Sequence, residues 1–414
     1  MSTILIWIVS IVSIAGIIIR PFKFPEAVWA VAGALILLIL RLILPSDAIT
    51  GIGKGTDVYL FLTGMMLLSE TAREEKLFDW LAAHATRLAK GSAKKLFLLI
   101  YLVGILVTVF LSNDATAVVL TPAVAAAVKA SKVKNPLPFL LICAFIANAA
   151  SFVLPISNPA NLVIYGKHMP PLLQWFPRFI LPSLVAIIAT YVVLYFSQKK
   201  SLLQAVDSTA EIPVLQKGGK MAATGILATA IILLISSAFD LQLGLPTAIT
   251  GILTSLIVMI GVRKNPWSII KGVSWSVLPL VAGLFVIVEA VNKTGIIKLL
   301  GVLLHSRVDR SVTSAVWESG TIVAFSCNLI NNLPAGLIAG NTVQIAKVPE
   351  IVQRSILIGI DLGPNLSITG SLATILWLVA LRREKLEVSA WSFLQLGILV
   401  MTPALLLALA SLWM

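Results

Sequence analysis

Charge is what this chain has least of. Only 12% of its 414 residues are Asp, Glu, Lys or Arg, about half the ~25% of a soluble globular domain. With so little charge it cannot clothe a large water-soluble domain. Cysteine is as scarce: Cys143 and Cys327 are the only two, far apart and in apolar surroundings. That excludes a disulfide framework and a cysteine metal site, and buried packing is the plain reading of both. The three histidines, His84, His168 and His305, lie in connectors, where solvent is their expected environment. No His-Glu-x-x-His is formed, and neither Gly-x-Gly-Asp nor Gly-x-Ser-Gly occurs, so an intramembrane hydrolase lacks its machinery. The sequence points to no enzyme, no metal site and no cofactor.

What is present is apolar sequence. Hydrophobic residues make up 58% of the chain and the mean hydropathy is +1.00. Runs approaching the ~20 residues of a membrane-spanning helix recur from end to end. They are continuous and do not alternate with period two, which excludes a β-barrel. The expected fold is an all-α polytopic membrane protein in the lipid bilayer of the cell inner (plasma) membrane. A net charge of +13 raises nucleic acid as a partner. The basic residues instead sit in short loops between apolar runs, as the positive-inside rule produces, and form no nucleic-acid-sized patch.

The first apolar run, Ile4 to Ile19, has its first basic residue, Arg20, behind it, so it reads as a retained helix and not a signal peptide. Spans follow at about 25–44 and 57–72, separated by a polar loop with Pro45, Asp47 and Gly55. An amphipathic segment, 76–90, lies on the membrane surface or packs as a connector on the spans. Next comes Leu96 to Val128, too long for one span and short for two, with Ser112-Asn113-Asp114-Ala115-Thr116 at its centre. A polar clump at such depth is costly unless the protein uses it, and a helical hairpin with a polar tip accounts for it. The apolar segment 137–166 is interrupted by Pro155-Ile156-Ser157-Asn158-Pro159-Ala160-Asn161. Proline removes a donor and blocks the preceding turn, and irregular backbone at this depth requires protein or a water-filled cavity around it. A span at about 179–196 ends this half.

After the hydrophilic segment 198–220 the plan repeats. Spans are expected at about 221–238, 245–262 and 277–291, then a connector at 296–304 and a second hairpin, 312–345, with Asn331-Asn332-Leu333-Pro334 at its tip. A second broken span, 356–377, carries Asp361-Leu362-Gly363-Pro364-Asn365 and Thr369-Gly370-Ser371, and a final span covers about 393–413. Gly64 and Glu70 correspond in position to Gly283 and Glu289, Asn113 and Asp114 to Asn331 and Asn332, and Asn158 and Asn161 to Ser371 and Thr374. The expected domains are a first repeat, 1–197, a cytoplasmic linker, 198–220, and a second repeat, 221–414. Each repeat has about five spans, one of them broken, plus a hairpin. On this topology one side collects Arg20 and Lys23 and the basic residues of 73–95, 129–134, 199–220, 263–271 and 382–385, in all 21 of the 31 Lys and Arg. The richer side is cytoplasmic. An odd number of crossings inverts the second repeat, so the first hairpin enters from the cytoplasmic side and the second from the other. Inverted repeats with broken helices are a feature of secondary transporters.

The candidate substrate ligands are Asn113, Thr116, Ser157, Asn158, Asn161, Asn331, Asn332, Asn365, Thr369 and Ser371, amides and hydroxyls gathered at the tips and breaks. Asp114 and Asp361 are the deep carboxylates and the candidate proton carriers. Asn113 and Asp114 would also cap the second hairpin arm. Glu70 and Glu289 lie nearer span ends, where a snorkelling or interface role is at least as good an account.

Leu111-Ser112-Asn113-Asp114-Ala115-Thr116-Ala117, Asn328-Leu329-Ile330-Asn331-Asn332-Leu333-Pro334 and the run Ile360 to Thr374 resemble arsenite permeases of the ArsB type. These belong to an ion transporter superfamily with dicarboxylate and NhaD-type carriers. The resemblance covers nearly the whole chain, and Asp361-Leu362-Gly363-Pro364 together with Gly370-Ser371-Leu372-Ala373-Thr374 is its most specific part. It implies efflux of arsenite and antimonite, driven by membrane potential or proton gradient, through an elevator movement of the hairpin-bearing domain. It also implies a possible cytoplasmic partner, the soluble arsenite-stimulated ATPase that some members dock. Arsenous acid is an uncharged trihydroxy molecule at neutral pH, suited to amide, hydroxyl and carboxyl ligands. A sodium–proton antiporter using the same carboxylates for cations is the alternative.

Overall fold

Inside a bilayer each backbone amide must be paired within its own segment, so runs as apolar as these fold as helices. The computed structural model describes residues 2–166, 169–207, 213–239 and 241–414. His168 and residues 208–212 of the expected linker fall outside the described residues. In the first half the helices are α1 (Ser2–Ile19), α2 (Glu26–Ile39), α3 (Pro45–Lys54), α4 (Thr56–Glu74), α5 (Leu77–Leu88), α6 (Ala93–Phe110), α7 (Asn113–Ala115), α8 (Thr121–Ala130), α9 (Leu137–Ala149), α10 (Pro159–Tyr165) and α11 (Leu172–Gln198). In the second they are α12 (Lys217–Ala238), α13 (Gly244–Val262), α14 (Trp267–Gly272), α15 (Val277–Lys293), α16 (Ile296–Arg310), α17 (Val312–Ile330), α18 (Asn332–Ala346), α19 (Glu350–Leu362), α20 (Leu372–Arg383) and α21 (Ala390–Ala410).

Six of these, α1, α6, α11, α12, α13 and the helix that begins α21, are long and apolar enough to cross a membrane unaided. The pair α15 and α16 also passes that test together but bends by 72°. The chain is therefore a multi-pass membrane protein. Two expectations need correction. The second span ends at Ile39, not Leu44. The polar segment expected as a loop is helix α3, because Pro45 sits in its first turn with Asp47, while Lys54 closes its last turn. Of the two readings of 76–90, the packed connector holds: Phe78, Ala82 and Ala85 of α5 are buried against α6 and α8. His84 lies over the Trp80 ring, with centroids 4.0 Å apart.

Packing between the halves is reciprocal. Helix α4 lies on α13 and α15 on α2. Gly64 allows the first contact, since a Cβ there would come within 2.1 Å of the Thr247 carbonyl oxygen. Gly283 allows the second, where a Cβ would meet the Ala30 backbone at 2.7 Å. Similarly α10 packs on α18, and α20 on α7 and the turn that follows it. That turn, Thr116–Leu120, is a π-helical insertion, and Pro122 just beyond it cannot donate to the ladder.

By their packing the helices form two bodies, α1–α4 with α12–α15 and α6–α11 with α17–α21, linked along the chain by α5, the segment 199–216 and α16. Among the described residues one hydrogen bond crosses directly between the bodies, from the Leu172 amide to Ser237 Oγ at 2.8 Å. Ion pairs sort the loops into two faces. Lys264 binds Glu75 at 2.8 Å, Lys132 binds Asp207 at 3.2 Å, and Arg20, paired with Glu26, lies near enough to Arg382 to feel its charge. All belong to the arginine- and lysine-rich set. On the other face Lys54 binds Glu289 at 2.7 Å, Arg178 binds Glu350 at 2.7 Å, and Lys293 pairs with Asp47. No ion pair among the described residues joins one set to the other.

Candidate functional site

Four helices begin at the centre of the molecule, each with a polar N-cap. Ser112 Oγ accepts from the Ala115 amide at 3.3 Å, Asn158 Oδ1 from Ala160 at 3.0 Å, Asn331 Oδ1 from Leu333 at 3.4 Å and Ser371 Oγ from Thr374 at 3.1 Å. Capping satisfies amides that would otherwise be orphaned in an apolar interior. It also explains why serine and asparagine stand at these points of the sequence. The first turns of all four helices line one small cavity of about 30 Å³, through Asn113, Asp114, Asn158, Pro159, Asn332, Leu333 and Leu372. The opposite wall is Leu62 of α4 with Val277 and Val281 of α15. The cavity therefore lies between the two bodies, with its polar wall on one and its apolar wall on the other.

Asp114 stands out within it. Its backbone amide binds Asn113 Oδ1 at 2.9 Å, but its half-buried carboxylate has no hydrogen-bond partner among the described residues. It also lines a second cavity, of about 60 Å³, that runs along α4 to Glu70 and the end of α14 at Gly272. Glu70 is paired there with Arg73. On the opposite face a larger cavity of about 400 Å³ is lined by Lys54, Asp57, Glu289, Asn341 and Gln344. No Lys, Arg or His lines the central cavity, and no cluster of three or more metal-ligating side chains occurs among the described residues. Cys143 and Cys327 are buried, unpaired and away from it.

Asp361 behaves differently from Asp114. It is fully buried, its Oδ1 accepts from Asn158 Nδ2 at 2.5 Å, and its Oδ2 meets no hydrogen-bond donor at bonding distance among the described residues. Through Asn158 it ties the two broken helices together one layer behind the cavity.

Of the residues singled out from sequence, the structure brings Asn113, Asp114, Asn158 and Asn332 to the cavity. It turns the others into the supporting layer. Thr116 Oγ1 meets Thr108 Oγ1 at 2.8 Å, and Ser157 Oγ donates to the Val109 carbonyl at 3.1 Å. Asn161 Nδ2 donates to the Ser151 carbonyl at 2.9 Å. Asn331 Nδ2 reaches the Thr369 carbonyl at 3.3 Å, while Thr369 Oγ1 donates to the Asn328 carbonyl at 3.1 Å. Asn365 Nδ2 donates to the Phe145 carbonyl at 3.0 Å.

Two organisers were not among the candidate site residues. Asn148 of α9 donates to Asn365 Oδ1 at 3.0 Å and Thr374 Oγ1 at 3.3 Å, and accepts from Ser371 at 3.1 Å. Asn328 of α17 donates to the Gly363 carbonyl at 2.9 Å and accepts from Ser367 at 2.7 Å. For Asn148 the available signal was a lone amide within an apolar run, and for Asn328 its place at the start of the motif 328–334. Asn148→Ala should be strongly destabilising, because each buried polar group left unpaired costs roughly 1–3 kcal/mol. A thermal melt of the detergent-purified variant checks this, and an unchanged midpoint would refute it.

A family model described as citrate transporter matches residues 5–359. The chain belongs to this family. Within this citrate transporter family setting, it is 26% identical over 402 residues to the arsenical pump membrane protein of Escherichia coli K12, covering 92% of each chain. It is also 26% identical over 368 residues to the arsenical pump membrane protein of Yersinia enterocolitica, covering 84% of each. These relatives bear out the resemblance to arsenite permeases drawn from the motifs. Among solved structures, the Alcanivorax borkumensis YdaH transporter shares the fold, with a TM-score of 0.59 at 14% identity over 88% of this chain and 86% of that one.

Proposed function

We propose that the chain is a secondary transporter exporting arsenite and antimonite from the cytoplasm in exchange for protons, by alternating access. The single observation that carries this reading is the central cavity, where three asparagines and the unpartnered Asp114 carboxylate meet at four helix starts. Capped helix N-termini and amides offer donors, and Asp114 with the amide oxygens offers acceptors, for a small neutral trihydroxy ligand. Asp114 is the coupling group, and the cavity along α4 gives it a proton path to the face where Glu70 lies. That face is the cytoplasmic one by its excess of Lys and Arg. The same face would receive a soluble ATPase if one is used.

Two inverted repeats and an elevator movement are part of the proposal. Reciprocal packing of α4 on α13 and α15 on α2 supports the repeats. An apolar wall on one body facing a polar wall on the other, with one hydrogen bond crossing between them among the described residues, supports sliding. The family's description as citrate transporters suggests citrate as a second reading. A cavity with no basic side chain among the described residues and a carboxylate at its centre is poorly suited to a tricarboxylate, whose charges would go unpaired. Sodium–proton antiport remains the other alternative.

Expression in cells lacking their own exporter should raise arsenite resistance and lower its accumulation. Everted vesicles should take up arsenite when ΔpH is imposed. Sodium-driven proton movement or citrate uptake, without arsenite transport, would overturn the reading.

A further inference from the structure

Helices α5 and α16 occupy corresponding places beside the two hairpins, but they are packed very differently. Five residues of α5 are buried, whereas only Ile297 and Gly301 of α16 are. The space that α16 leaves open is a groove of about 590 Å³ between it and the arms α17 and α18. That lies within the ~300–1,000 Å³ of small-molecule sites. The groove is mainly apolar along its length, from Leu303 past Ile322 and Ala339 to Ile330 at the hairpin tip, broken by the hydroxyls of Ser319, Ser326 and Thr342, and charged at its other end, where Arg307, Arg310 and Glu318 stand. Arg307 is paired with Glu318 at 3.3 Å, and Arg310 has no ion pair among the described residues. The charged end is at the base of the hairpin, among the loops of the face opposite the basic one. The apolar end reaches the depth of the hairpin tip.

We propose that this groove is a binding site for an anionic phospholipid, with one acyl chain lying between α16 and the hairpin and the phosphate held by Arg310 and Arg307. The polarity gradient matches a lipid lying parallel to the hairpin: anionic headgroup at the surface, hydrocarbon inward. A basic pocket at headgroup level selects anionic lipids by charge-assisted hydrogen bonds from the guanidinium groups. The acyl chain supplies for α16 the apolar contacts that α5 obtains from protein. This inference is independent of the transported substrate.

The test is native mass spectrometry of the full chain extracted from bilayers of equal phosphatidylglycerol and phosphatidylcholine. One phosphatidylglycerol should be retained preferentially. Arg310→Gln, at an exposed position, should reduce that preference by roughly tenfold, the effect of losing ~1.4 kcal/mol. Ala339→Trp, which fills the groove, should release lipid of either headgroup. Equal retention of both lipids, no retained lipid, or an unaltered preference in Arg310→Gln would overturn the proposal. So would a disulfide between two copies of Ile322→Cys, which would place a second chain in the groove.

Discussion

Asp114→Asn is expected to abolish ΔpH-driven accumulation of arsenite in everted vesicles while leaving arsenite exchange across the same membrane. The substitution keeps the size and shape of the side chain and removes only its ability to carry a proton. Each unit of ΔpH is worth ~1.4 kcal/mol per proton, about a tenfold accumulation, and all of that gain should vanish. Asp361→Asn is the informative companion. Asp361 lines neither the central cavity nor the ones beside Glu70 and Glu289 and holds Asn158 through Oδ1, a bond that an asparagine oxygen can also accept. Its partnerless Oδ2 becomes an amide nitrogen in the variant. Transport in Asp361→Asn should therefore stay coupled. If Asp361→Asn uncouples and Asp114→Asn does not, the roles assigned to the two carboxylates are reversed. If both remain fully coupled, neither carries the proton.

Gly64→Ala should have the largest effect on stability of the glycine-to-alanine changes in the chain's first half, since among these glycines its added Cβ makes the shortest approach to backbone. The added Cβ would lie 2.1 Å from the Thr247 carbonyl oxygen, which belongs to helix backbone and has no rotamer with which to move away. Helices α4 and α13 must separate along their contact, and overpacking of this kind costs about 1–3 kcal/mol, occasionally more. Gly53→Ala supplies the control, because no atom lies within 4 Å of its added Cβ and the residue is in helix α3. It should be neutral or stabilising by roughly 0.5–1 kcal/mol. Melting midpoints of the two purified variants decide the matter: a Gly64→Ala protein as stable as Gly53→Ala would show that the close approach is not needed.

Gly64 and Gly283 also show how far a sequence can be read. Their matching positions were visible as a weak correspondence between halves. Each proves to be a helix-crossing point, but the partners, Thr247 for one and Ala30 for the other, come from the opposite half. No local pattern names them. Helix α3 was missed because its residues are polar and glycine-rich, a composition that reads as loop until the capping pattern of Pro45, Asp47 and Lys54 is recognised.

The sequence by itself determined the membrane class, the positions of the apolar runs and of the polar interruptions within them, and the identity of the polar residues at those interruptions. The physical reason is the bilayer, which makes apolar length and misplaced polarity legible one residue at a time. Only the tertiary structure decided which of those polar groups face a cavity. Serine, threonine and asparagine serve equally well as caps, as backbone ties or as ligands, and these roles differ only in where the side chain points after packing. Thus Asp114 and Asp361, alike as deep carboxylates in the sequence, separate in space: one lines the central cavity without a partner, and the other is fully buried behind it, bonded to Asn158.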